Sequence, residues 1–283
     1  MEKAINMSST TPTTVNEHVI LPTSKHTHTV IFLHGRGSTA TEFESELFES
    51  QASDDRFFVQ IFPSVKWVFP SATPKWTETE EEVVNQWFDM KSVQHPNDCP
   101  ETQKPGLRES VQMILEVVRR ESAAVGLKMV FLAGISQGCA TALLALLLGG
   151  VEIGGFVGLS GWLPMQEELG KILNDTTSTS QERTQHLRAL LDIPVECYSM
   201  TSKITSAVRT PVLLQHAVDD FVVPVANGLG LAKTLQEFGM QVAWQCFDEG
   251  GHWLNEPEGM DRIVKFLRTH MVVKYDANKP GQD

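Results

Sequence analysis

Positive charge is what this chain has least of: 23 lysines and arginines face 35 aspartates and glutamates in 283 residues, a net charge of -12 at neutral pH. That balance argues against nucleic acid or an anionic membrane surface as a partner, because neutralising phosphates needs a concentrated positive field. Cysteine is scarce as well. The four residues, Cys99, Cys139, Cys197 and Cys246, lack the paired spacing of metal ligands, and without an export signal they read as reduced thiols of a cytoplasmic protein. Long apolar runs are also missing: the longest, Ala140 to Leu148, is interrupted by Thr141 and is too short to span a bilayer, so no transmembrane segment is expected. Residues 1–20 are polar and threonine-rich and have no apolar centre of the kind a secretory leader needs. Residues 1–15 read as a disordered tail and 273–283 as a polar tail.

Between the tails there is ample material for a core, since 41% of the chain is hydrophobic. Val15 to Leu21 and His28 to Leu33 are apolar runs separated by a Pro22 turn, which predicts a hairpin at a sheet edge. Thr39 to Gln51 carries Phe43, Leu47 and Phe48 at helical spacing, with Thr41 as the expected N-cap. Phe57 to Pro63 reads as a strand. From Trp67 through Trp87 and Phe88 to Asp89 follows a long irregular section whose Glu78–Glu82 run is a solvated face, and His95 to Pro105 is a turn-rich loop. Gly106 to Ala124, Val225 to Phe238 and Pro257 to Met271 are expected helices, with strands starting at Lys128 and at Phe156–Leu159, Pro211–Gln215 and Gln241–Phe247. Strands alternating with helices imply an α/β fold, a mostly parallel sheet covered on both faces. Residues 16–272 form one domain, in which 165–210 reads as an insertion or lid.

The most informative stretch is Met129 to Leu148, where an apolar strand-type run and an apolar helical run flank Gly134-Ile135-Ser136-Gln137-Gly138. G-x-S-x-G between a strand and a helix is the nucleophile elbow of serine hydrolases: the turn is so tight that only glycine fits on either side of the serine. A serine hydroxyl is a poor nucleophile at neutral pH and needs a base, which in turn needs an orienting acid. His252 lies in a glycine-hinged turn after the last strand. Asp219 and Asp220 both follow the strand before it and satisfy the acid's position; Asp220, which precedes Phe-Val-Val-Pro, is preferred. The chain order Ser136, Asp220, His252 is that of α/β-hydrolases. Upstream, His34-Gly35-Arg36-Gly37 follows a strand, and the Arg36 N–H together with the Gln137 N–H is the expected oxyanion hole. His34 is expected to brace that loop. Cys139, just beyond the elbow, reads as a small buried packing residue.

The ordered set HGRGS, VFPSA with a later QWFDM, GISQG, SGWLP, the H-x-x-x-D-x-x-V-P segment at His216 to Pro224 and a glycine-flanked His252 resembles the phospholipase/carboxylesterase family that contains the acyl-protein thioesterases. The resemblance runs from about Val30 to Leu267. It implies an α/β-hydrolase fold without a large cap, acting on fatty-acyl esters or thioesters, S-acylated proteins among them, with no metal or other cofactor. It also maps the acid onto Asp220, the oxyanion donors onto Arg36 and Gln137, and the acyl channel onto Trp87, Trp162 and Leu163. Lysophospholipase or small-ester esterase activity is the alternative within the same chemistry, and a non-catalytic hydrolase-like receptor the alternative outside it. The family more often has leucine at the place of Arg36 and a shorter connection than Met165 to Thr210. The Arg36 charge is either surplus to its backbone role or a contact for an anionic substrate group.

Overall fold

The computed structural model describes residues 15–77, 80–193 and 207–271. Both terminal tails, Cys197, Glu78 and residues 194–206 of the expected lid lie outside the described residues. The described residues form a seven-stranded sheet in the order β1 (Glu17–Ile20), β3 (Val65–Pro70), β2 (His28–Leu33), β6 (Val130–Ile135), β7 (Gly155–Leu159), β8 (Val212–Ala217), β9 (Val242–Phe247). All neighbours are parallel except β1 with β3. A separate hairpin joins β4 (Pro74–Thr77) to β5 (Glu82–Asn85). The architecture is that of an α/β-hydrolase, with no large cap among the described residues.

Side-chain alternation on the strands divides the core into two layers. Ile31 and Leu33 of β2, with Val130 and Leu132 of β6, face the helices α3 (Pro100–Val125), α4 (Gln137–Gly149) and α7 (Val225–Glu237). Val30, Phe32, Phe131 and Ala133, on the other face, meet α1 (Ala40–Glu49), the single turn α2 (Phe58–Ile61) and α8 (Glu258–His270). Helix α4 is apolar all round and buried at every position, as befits a helix covered on every side. Among the described residues no helix is long and apolar enough to cross a membrane.

Several local expectations need correction. The first two strands do not pair with each other; β3 lies between them, so β1 is an edge strand but not half of a hairpin. The strand expected at Phe57–Pro63 is the helical turn α2, and the strand itself is Val65–Pro70, taken from the stretch read as irregular. A short apolar run carries too few periods to separate the two states, and the pairing of β3 with both β1 and β2 decides. The N-cap of α1 is Thr39 rather than Thr41: its hydroxyl accepts from Glu42 N while Glu42 accepts from Thr39 N. Helix α3 begins at Pro100, inside the expected loop. Its start is tied down by Gln103, whose Nε2 donates to the Pro96 carbonyl at 2.7 Å.

Within 165–210, α5 (Gln166–Leu173) and α6 (Ser180–Leu190) bury Leu169, Leu173, Leu187 and Leu191 in the same core layer as α4. The Arg188 guanidinium donates to the Leu148 carbonyl near the end of α4 at 3.0 Å. These two helices are packed onto the body of the fold through those apolar side chains.

Candidate active site

In an open parallel sheet the loops at the carboxyl ends of the strands converge on one rim. Ser136 follows β6, Asp220 follows β8 and His252 follows β9, so topology alone brings all three to that rim. Ser136 sits between β6 and α4 with φ 56° and ψ -124°, a conformation costly for a residue with a side chain and the expected one for a nucleophile elbow. The flanking glycines are required by contact. A Cβ on Gly134 would lie 2.5 Å from the Gly138 carbonyl carbon, and one on Gly138 would collide with the carbonyl oxygens of Leu33 and His34. The start of α4 is thus pressed against the HGRG loop, and Gly35 in turn passes close to the Ser136 side chain.

Asp220 and His252 are joined. The imidazole Nδ1–H donates to Asp220 Oδ2 at 2.8 Å, while Asp220 Oδ1 accepts from the Val222 and Val223 N–H groups at 2.9 Å each. Burial alone would raise the carboxyl pKa, but hydrogen bonds from His216, His252 and Val223 N–H outweigh it and hold the group well below the usual carboxylate range. Asp220 is therefore a carboxylate, His252 carries its proton on Nδ1, and its Nε2 is the nitrogen free to accept another. Among the described residues Ser136 Oγ has no hydrogen bond, and it is the hydroxyl at the start of α4. Asp219 faces elsewhere: its carboxylate accepts from Gly251 N at 2.8 Å and steadies the turn that carries His252.

The loop from His34 to Gly37 is braced from beneath. His34 donates from Nδ1 to the Gly35 carbonyl at 2.6 Å and accepts at Nε2 from Ala72 N at 3.0 Å. With both nitrogens spent and burial lowering its pKa, it is a neutral support rather than a base. Among the described residues neither the Arg36 N–H nor the Gln137 N–H is given to a carbonyl, and the latter is the first N–H of α4, where the helix dipole favours negative charge.

Side chains of the same two residues reach one short segment. Arg36 Nε donates to Gln86 Oε1 at 2.9 Å, and its two terminal nitrogens pair with Glu80 at 2.8 and 2.5 Å. Gln137 accepts from Trp87 N at 2.8 Å and donates to the Phe88 carbonyl at 2.7 Å. Glu80 thus anchors the hairpin on the HGRG loop through Arg36. The guanidinium is already neutralised and is not a free contact for a substrate anion.

Trp87, Trp162 and Leu163 are fully buried. Trp87 donates its indole N–H to the His34 carbonyl at 2.8 Å and holds the loop from below; Trp162 packs edge-on against Phe88 with ring centroids 6.3 Å apart. All three lie in the packed core layer with α3 and α4. Sequence reasoning missed the clamp formed by Gln86 and Glu80, because hydrogen bonds linking residues some fifty positions apart leave no local pattern.

Cys139 is buried against Gly158 and Gly161, and burial pushes its thiol up to about 12. It is therefore held as the thiol at neutral pH, whereas Cys99 and Cys246 are exposed free thiols. Iodoacetamide at about pH 8 is expected to modify Cys99 and Cys246 in the native protein and to spare Cys139 until denaturant is added, read by peptide mass spectrometry. Modification of native Cys139 would contradict the packing described.

The sequence profile of the phospholipase/carboxylesterase family matches residues 15–189, and that of the prolyl oligopeptidase family matches residues 175–273. A Gibberella zeae protein named acyl-protein thioesterase 1 is 26% identical over 255 residues, which are 89% of this chain and 94% of that one. A rice protein named a probable inactive carboxylesterase is 27% identical over 230 residues, 80% of this chain and 78% of its own. The crystal structure of Zea mays acyl-protein thioesterase 2 superposes with a TM-score of 0.64 at 23% identity, covering 92% of this chain and 100% of that one. The last of these speaks to fold alone.

Proposed function

The chain belongs to the phospholipase/carboxylesterase family of hydrolases, and from that premise we propose that it is a serine hydrolase cleaving carboxylic ester and thioester bonds, with S-acylated proteins among its substrates. The observation that carries the reading is the 2.8 Å hydrogen bond between Asp220 and His252 on the rim where the strained Ser136 elbow ends β6. In this reading Ser136 Oγ attacks the acyl carbonyl while His252 Nε2 takes its proton, and Asp220 stabilises the imidazolium that results. The negative oxygen of the tetrahedral intermediate is held by the Arg36 and Gln137 N–H groups. The leaving alcohol or thiol departs with the proton from His252, and water releases the acyl group from Ser136 by the same steps. No metal or cofactor is needed. The pattern of unpaired thiols supports a cytoplasmic site of action.

A short-chain esterase is the second reading, favoured by the burial of Trp87, Trp162 and Leu163, which present no exposed apolar surface to a long chain. One panel separates them: short-chain aryl esters, a lysophospholipid and a peptide palmitoylated on cysteine. Turnover of the acylated peptide at a kcat/KM within about tenfold of the aryl ester supports the thioesterase reading. Hydrolysis confined to the short esters replaces it with the second, and turnover of none would revive the receptor reading.

A further inference from the structure

Beneath the acid lies a second imidazole for which the chemistry above has no use. His216, near the end of β8, has a fully buried side chain. Its Nε2 is 2.8 Å from the Val223 carbonyl oxygen and 3.2 Å from Asp220 Oδ2, the same oxygen that accepts from His252. Carbonyl and carboxylate oxygens only accept, so Nε2 carries a proton and divides it between them. The other nitrogen, Nδ1, is buried without a partner among the described residues, and Gly228 of α7 passes so close that a Cβ there would overlap it. A proton on Nδ1 would meet no acceptor among the described residues, whereas Nε2 faces two, so the geometry places the ring proton on Nε2.

An unpaired lone pair inside a protein costs free energy, and an apolar side chain of similar size would fill the space without that penalty. What an apolar residue lacks is the Nε2–H. We propose that His216 is a positioning residue for the hydrolytic reaction: its Nε2–H fixes Asp220 Oδ2 and shares that oxygen with His252, setting both the direction of the carboxylate and the proton affinity of the catalytic imidazole. This rests on the triad reading of Ser136, Asp220 and His252. Val222 and Val223 N–H hold one carboxylate oxygen and the two histidines hold the other, so His216 is the restraint nearest the working hydrogen bond.

The sign follows from the sharing. With His216 absent, the charge on Oδ2 would face His252 alone, the imidazolium would hold its proton more tightly, and the acid limb of kcat/KM would move to higher pH. Few other charges bear on it among the described residues. Asp219 is turned to Gly251 N–H, Lys233 and Glu237 of α7 pair with each other, and β9 contributes the uncharged Trp244, its ring 6.3 Å from His216.

The test compares His216→Met, which fills the space without a donor, with His216→Gln, which returns an N–H donor, on a p-nitrophenyl ester across pH. His216→Met is expected to lower kcat about tenfold and to move the acid limb up by about half a pH unit or more, with KM little changed. His216→Gln should restore the limb and most of kcat. Equal behaviour of the two variants, or losses with an unmoved limb, would mean that the imidazole only packs. A readout independent of substitution is the imidazole 15N spectrum of the wild type, where the His216 ring should carry its proton on Nε2; a tautomer with the proton on Nδ1 overturns the proposal. Ser136→Ala run alongside keeps the two readings apart. If it stays active the triad itself is wrong, whereas if it is dead and His216→Met is normal only the role of His216 falls.

Discussion

Ser136→Ala is expected to lower kcat for ester hydrolysis by about 10⁴- to 10⁶-fold and to abolish covalent labelling by a fluorophosphonate probe. The size of the effect comes from how much of the local structure exists to present one oxygen. Residue 136 holds a positive φ, two glycines are pressed to contact on either side of it, and α4 begins at its carbonyl with an unspent N–H. Removing the hydroxyl leaves that arrangement in place, so the fold should survive while covalent chemistry is lost. Residual activity would come from the oxyanion donors acting on water. Labelling of the variant at the wild-type rate would show that another residue is the nucleophile.

Asp220→Ala is expected to cost about 10³- to 10⁴-fold in kcat, and Asp219→Ala less than about tenfold. The adjacent carboxylates have different work. Asp220 is buried and accepts from His252, from His216 and from two backbone N–H groups, whereas Asp219 accepts from Gly251 N alone. Losing Asp220 leaves His252 free to turn and takes the acceptor from its Nδ1–H and from the Val222 and Val223 N–H groups, while His216 keeps the Val223 carbonyl; losing Asp219 loosens only the turn that carries His252. The reverse ranking would transfer the acid role to Asp219. Asp220 also couples stability to pH. Its folded pKa lies below the ordinary value, so its contribution is fully present above about pH 4 and is lost as pH falls towards the folded value. Acid unfolding of Asp220→Asn should therefore depend less steeply on pH than that of the wild type in that range.

The parts legible without coordinates are those that repeat or are punctuated. The elbow announces itself because Gly134 and Gly138 bracket Ser136 between a strand-type and a helix-type run, and α7 and α8 show helical spacing over thirteen residues each. The stretch from Phe57 to Asn85 was opaque for the opposite reason. It holds a one-turn helix, a strand of six residues and a hairpin, each too short for its period to show, and β3 exists because β1 and β2 offer it edges from either side. Propensity could not anticipate that, since strand pairing is non-local. The tryptophans show the same limit: their size marks a large buried surface, but which neighbour each covers depends on chain folded far away in sequence.

By itself, then, the amino-acid order determined which chemistry is on offer and where along the chain, since a tight glycine turn, a hydroxyl and an ordered acid and base are local or sequential facts. Three-dimensional packing decided the rest: that Asp220 rather than Asp219 meets His252, that a second imidazole shares the same oxygen, and that Arg36 and Gln137 both grip the strip from Gln86 to Phe88. These are matters of direction and of tenths of an ångström. A hydrogen bond is made or lost on that scale, and only the folded chain defines it.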